Sequence, residues 1–180
     1  MRLILILLSL LATLNVYSQE KNLQTIIKEG NIPKSELLIK IDKSAYKIYV
    51  YHKGSKLITY ACVFGFNAID DKMQEGDGCT PEGNFGVRSM YAHSNWKYFI
   101  WIDYPTEESW NRFKRRKTEG TIEDNATIGG EIGIHGVPDG MDDMIADKTN
   151  WTLGCISLSN RDIEDLYKSI NKSTKILIIP

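Results

Sequence analysis

Several features are missing from this chain, and each absence narrows what it does. Its 180 residues set 22 lysines and arginines against 23 aspartates and glutamates, a net charge of −1. That balance gives no basic field for nucleic acid or an anionic membrane surface. No Cys-x-x-Cys or His-Glu-x-x-His pattern occurs, so neither a structural nor a catalytic zinc is indicated, and no other metal or cofactor is implied. There is no internal repeat, linker or low-complexity segment. The length suits one domain with a proper core and hardly two. Apolar residues make up 42% and charged ones 25%, ordinary proportions for a soluble globular protein.

The N-terminus stands apart. Arg2 is followed by an apolar run from Leu3 to Leu14, broken only by Ser9 and Thr13, and then by Val16-Tyr17-Ser18 as a small-residue cleavage site. This is the pattern of a secretory signal peptide over residues 1–18. The run is shorter than the roughly 20 residues that span a bilayer, so no integral membrane span is expected after cleavage. Cleavage removes Arg2 alone among the charged residues, leaving 21 basic and 23 acidic. No cysteine follows the site, which argues against lipid attachment. The expected location is therefore the periplasm or cell envelope.

Three cysteines are an odd number for an exported chain. One reading pairs Cys62 with Cys79 and leaves Cys155 free. The other, favoured by the apolar strand around Cys62, makes that residue a small buried hydrophobe.

Residues 37–42, 45–52, 56–65, 84–91 and 97–102 read as strands, with Lys53-Gly54-Ser55 turning the second into the third as a hairpin. Residues 67–83 and 120–130 read as loops, the second leading into a short strand, Ile132-Gly133-Ile134, that presents His135. Glu107 to Thr118 reads as a helix, acidic in its first turn and basic at Lys114 to Lys117, in accord with the macrodipole. Ser159 and Asp162 form a capping pattern ahead of Ile163, Leu166, Tyr167 and Ile170 at helical spacing, and residues 174–179 close the chain as a strand. Many strands, few helices and no strand–helix–strand alternation predict a mainly β domain.

The chemistry centres on Gly154-Cys155 and on His135, twenty residues earlier. A nucleophilic cysteine reacts as the thiolate, so an imidazole must take its proton or stabilise the anion. A glycine before the nucleophile lets the backbone approach a substrate carbonyl and aim N–H groups at a developing oxyanion.

His135, sixteen residues, then Thr152-Leu153-Gly154-Cys155 resembles the L,D-transpeptidases (the YkuD-like family), whose signature is a histidine, a spacer of this length and Ser/Thr-His-Gly-Cys. The segment from Cys155 through Ile156, Leu158, Asn160, Asp162 and Ile163 to Leu166 resembles the family's tail. Thr80-Pro81-Glu82-Gly83-Asn84-Phe85 resembles its Thr-Pro-x-Gly-x-Phe turn, and Asp103-Tyr104-Pro105 its Asn-Tyr-Pro element. The resemblance implies a YkuD-like β-sandwich with a few peripheral helices, with 37–180 as the catalytic domain behind a lead-in at 19–36. It also implies a thioester mechanism on peptidoglycan tetrapeptide stems. Cys155 would be the nucleophile and His135 its base, with the Gly136 carbonyl orienting the imidazole and the Gly154 and Cys155 N–H groups as oxyanion donors. Trp151, Thr152 and Ser157 are candidate substrate contacts.

Leu153 and Ser157 depart from the commonest motif, which has histidine and arginine there. Three functions therefore stand: a transpeptidase; a hydrolase on the same acyl-enzyme path (an L,D-carboxypeptidase, or an amidase releasing a group linked to the stem); and a non-catalytic wall-binding module. The intact Cys155 and His135 count against the last. In a papain-like protease the cysteine precedes the histidine, the reverse of the order here. Asp139, Asp142, Asp143 and Asp147 lack calcium-loop spacing and read as a solvated acidic segment, and Lys114 to Lys117 as a solvated helix face. His52 and His93 sit in strand and loop contexts without partners and read as surface or satisfied residues rather than catalysts.

Overall fold

The computed structural model describes residues 21–180. The expected signal segment, 1–18, lies outside them.

Period-two alternation builds the sheet. β1 (Leu37–Asp42), β2 (Lys47–His52) and β8 (Lys175–Ile179) each send branched aliphatics to one face, and Ile39, Ile41, Ile48, Val50, Ile176 and Ile178 are buried there. Lys53 and Gly54, both at positive φ (48° and 81°), make the two-residue turn from β2 into β3 (Ser55–Ala61), as the hairpin pattern predicts. β4 (Gly83–His93) and β5 (Lys97–Ile102) form a second hairpin, and β6 (Gly133–His135) and β7 (Ile156–Ser157) complete the sheet. The strand order is β3-β2-β1-β8-β4-β5-β6-β7, with β1–β8 and β6–β7 parallel and the other pairs antiparallel. β4 joins the two halves: Gly83 to Gly86 pair with β8, and Val87 to His93 pair with β5. Apolar residues from both halves, including Ile41, Val50, Phe85, Ile100, Ile134 and Ile156, merge into one core. The fold is the expected mainly β architecture.

Helices sit at the periphery. α1 is Leu23–Glu29, α2 Glu107–Thr118, α3 Asp143–Ala146 and α4 Asn160–Ser169. Ser159 Oγ accepts from the N–H of Asp162 at 3.1 Å, the cap predicted from the sequence. On α4, the buried Asp165 accepts from the N–H groups of Leu23 (2.8 Å) and Gln24 (3.2 Å) and from the Tyr60 hydroxyl (2.8 Å). A carboxylate thus satisfies two free donors at the start of α1, where the macrodipole is positive. With Leu23 fully buried, α1 packs onto the same core as the sheet.

The long aperiodic stretch between β3 and β4 is held by ion pairs. Lys43, almost fully buried, places Nζ 2.7 Å from Glu82 Oε1 and 2.7 Å from the Asp70 carbonyl. Arg116 donates to Asp71 Oδ2 at 2.7 Å and to the Lys72 carbonyl at 2.8 Å, and Arg112 donates to the Glu82 carbonyl at 2.6 Å. The basic end of α2 is therefore not simply a solvated face, because Arg116 anchors the loop. No helix among the described residues is long and apolar enough to cross a membrane.

Candidate active site

Parallel pairing of β6 with β7 sets His135 beside Ser157 and Ile134 beside Ile156, which leaves Cys155 at the near end of β7. The turn before it closes on Thr152, whose Oγ1 donates to the Cys155 carbonyl at 2.7 Å and accepts from the Gly154 N–H at 3.2 Å. Gly154 adopts φ +136°, and a Cβ there would lie 2.7 Å from the Cys79 carbonyl oxygen, so only glycine fits. Cys155 Sγ lies 3.5 Å from the Glu131 carbonyl oxygen, to which the thiol donates.

His135 is buried, 1% exposed, and its imidazole is held on every side. Nδ1 donates to the Gly136 carbonyl at 2.7 Å, the contact expected from the resemblance, which leaves the lone pair of the neutral ring on Nε2. The Trp96 ring stacks on the imidazole at 4.4 Å between centroids, and Phe99 stacks on it at 5.6 Å with a 10° interplanar angle. Trp151 meets its edge at 5.6 Å. The Gly136 N–H donates to the Trp96 carbonyl at 3.0 Å, so Trp96 grips this dipeptide through both ring and backbone. A Cβ on Gly136 would fall 2.3 Å from Asn160 Oδ1 and 2.7 Å from Trp96 O, which explains the glycine after the histidine.

Cys155 and His135 line one cavity of about 690 Å³. Its wall is aromatic (Tyr91, Trp96, Phe99, Trp101 and Trp151), and Lys72, Glu75 and Glu131 supply charge. Lys72 is paired with Asp77 at 2.9 Å. Leu153, 70% exposed, puts an apolar side chain on the wall beside the cysteine.

Burial governs the ionisation of both groups. It pushes the Cys155 thiol up to about 11, with the Glu131 carboxylate adding to the rise and the Gly133 backbone opposing it. Burial likewise draws His135 down to about 4, against the hydrogen bond to Gly136. At neutral pH the resting pair is a neutral thiol and a neutral imidazole.

Thr152 and Trp151 both line the cavity, although the Thr152 hydroxyl is occupied within the turn. Ser157 is fully buried behind the histidine, and its hydroxyl donates to the Gly136 carbonyl at 3.2 Å. The expectation of a substrate contact at Ser157 is thereby corrected. The expectation of an oxyanion donor at Gly154 is also altered, because its N–H points to Thr152 Oγ1.

Other expectations change too. Cys62 and Cys79 are both buried free thiols, so the small-hydrophobe reading of Cys62 holds and the pairing does not. His93 stacks on Trp96 at 4.4 Å, and His52 Nε2 lies 2.9 Å from Glu36 Oε2, so neither histidine lacks a partner. Asp142 Oδ1 accepts the Asn160 N–H at 2.6 Å at the start of α4, which gives one of the four aspartates a structural task. Among the described residues no cluster of three or more His, Cys, Asp or Glu side chains could hold a metal ion. Nothing in the sequence marks Trp96 or Phe99 as part of the site. No local pattern distinguishes an aromatic on a hairpin that stacks on a histidine some 40 residues later.

The family model for the YkuD L,D-transpeptidase catalytic domain matches residues 36–178. No curated protein matches the chain. Among solved structures it is similar to Bd1075 of Bdellovibrio bacteriovorus, with TM-score 0.56 and 23% identity over 80% of this chain and 48% of that one. It is also similar to the helical cell shape determining protein Pgp2 of Campylobacter jejuni, with TM-score 0.56 and 20% identity over 87% and 54%. An L,D-transpeptidase of Mycobacterium smegmatis gives TM-score 0.52 and 14% identity over 81% and 59%. At these identities the likeness carries the fold, and the match covers about half the length of each of these structures.

Proposed function

The chain belongs to the L,D-transpeptidase catalytic domain family, and from that premise we propose that it is an exported cysteine acyltransferase acting on peptidoglycan tetrapeptide stems through a Cys155 thioester. One observation carries the reading. Cys155 and His135 share a cavity, and the Nδ1 proton of the histidine is tied to the Gly136 carbonyl, so Nε2 is the basic nitrogen.

Because both groups rest neutral, the proton moves as the bond forms. Sγ attacks the carbonyl between the third residue and the terminal D-residue while Nε2 takes the thiol proton. The main-chain N–H of Cys155 is the oxyanion donor; at a well-placed site such a donor contributes about 2.7–4 kcal/mol. The C–N bond then breaks, and the proton on Nε2 passes to the departing D-alanine amine. An amine from a second stem attacks the thioester and gives its proton to Nε2. The C–S bond breaks, and that proton returns to Sγ, restoring the thiol and the neutral imidazole. Water in place of that amine would give an L,D-carboxypeptidase. A wall substrate lies outside the cytoplasmic membrane, and the signal-like residues 1–18 supply the route to it.

The test is incubation of the mature protein with purified muropeptides, with products read by mass spectrometry. Cross-linked dimers are expected; shortened stems alone would mark a hydrolase. A carbapenem should add its mass to the wild type and not to Cys155→Ala. His135→Ala should acylate about 10²–10⁴-fold more slowly with its circular dichroism unchanged. An adduct retained on Cys155→Ala, with muropeptides untouched, would refute the proposal.

A further inference from the structure

The Gly136 carbonyl accepts two hydrogen bonds, from His135 Nδ1 at 2.7 Å and from Ser157 Oγ at 3.2 Å. A carbonyl oxygen has two lone pairs, and here both are used within a buried site. The second donor is rigidly placed. Ser157 lies on β7, with its N–H donating to the Val63 carbonyl and its own carbonyl accepting from the Val63 N–H, both at 2.9 Å. Its side chain is fully buried and so cannot reach a substrate, although the family's commonest motif puts an arginine at this position. The preceding peptide, His135–Gly136, is held separately by its N–H, which donates to Trp96 O at 3.0 Å.

We propose that Ser157 is a positioning residue for His135: its hydroxyl holds the Gly136 carbonyl in the orientation that accepts the Nδ1 proton, and so keeps Nε2 as the basic nitrogen. This rests on the reading of His135 as the base. Removing the hydroxyl leaves the carbonyl with one buried lone pair unmatched and one restraint fewer, and a rotated peptide no longer holds the proton on Nδ1.

The experiment is a two-bond ¹⁵N–¹H correlation of the imidazoles at pH 7, where His135 is neutral, on wild type, Ser157→Ala and Ser157→Thr. Wild type should show His135 as the Nδ1–H tautomer alone. In Ser157→Ala an Nε2–H population should appear, and carbapenem acylation should slow by roughly 3- to 10-fold, the scale of one hydrogen bond. Ser157→Thr, which keeps the hydroxyl, should restore the tautomer. A Ser157→Ala protein that retains the Nδ1–H tautomer alone overturns the proposal at any acylation rate, as does a wild type protonated at Nε2. If the wild type is never acylated, the acyltransferase reading fails, while the tautomer still decides the role of Ser157.

Discussion

Trp96 stacks on His135 with ring centroids 4.4 Å apart, and its carbonyl also receives the N–H of the residue after that histidine. This residue of the β4–β5 turn thus covers one part of the imidazole and fixes its backbone, with Phe99 and Trp151 also packed against the ring. Burial is the largest cause of the low His135 pKa, and this stack contributes to that burial.

Replacing Trp96 separates the two contacts, because every variant keeps the backbone carbonyl. In Trp96→Ala the imidazole gains water, and its pKa should climb from about 4 toward the ordinary value near 6.5. Trp96→Phe keeps an aromatic face and should move it less. An NMR titration of His135 reads both shifts, and an unmoved value in Trp96→Ala would show that the stack contributes nothing to desolvation.

The thiol gives a second pH signature. With Cys155 raised to about 11, the thiolate fraction at neutral pH is small and grows about tenfold per unit. Alkylation of Cys155 by iodoacetamide, followed by peptide mass spectrometry, should rise log-linearly from pH 7 to 10. A plateau near neutrality would instead reveal a pre-formed thiolate–imidazolium pair.

Histidine burial also links stability to pH. The unfolded chain takes up the His135 proton below about 6.5, whereas the folded chain resists it down to about 4. The stability contributed by this group is therefore complete above pH 6.5 and is lost as pH falls toward 4. Urea midpoints at pH 7 and pH 4.5 should differ less in His135→Phe than in wild type.

Asp165 carries a purely structural prediction. It accepts two backbone N–H groups at the start of α1 and the Tyr60 hydroxyl, and burial raises the Tyr60 pKa so that the phenol stays a donor. Asp165→Ala strands these donors and should cost about 2–4 kcal/mol, measured by urea denaturation. Losses below about 0.5 kcal/mol would mean that water replaces the carboxylate.

Export is tested at the N-terminus. Sequencing the mature protein from an envelope fraction should begin at Gln19 or within a residue or two of it. Recovery from cytosol starting at Met1 would remove access to a wall substrate.

Local physics is legible in the chain itself. β5 and α2 have the expected limits, because aromatic and β-branched side chains, acidic first turns and basic last turns act within a few residues. The Ser159 cap and the Lys53-Gly54 turn are equally readable, and Cys155 and His135, which the sequence singles out, line one cavity. Tertiary structure decided what depends on distant partners. Only β6–β7 pairing sets Ser157 behind the histidine, where a serine that reads as a substrate contact proves buried. Trp96 reaches His135, Arg116 reaches Asp71 and Asp165 reaches Leu23 across separations of 39, 45 and 142 residues. A side chain's type states what it can donate, accept or cover. Which group it meets at such separations is set by the packing of the whole sheet, and no local pattern in the chain encodes it.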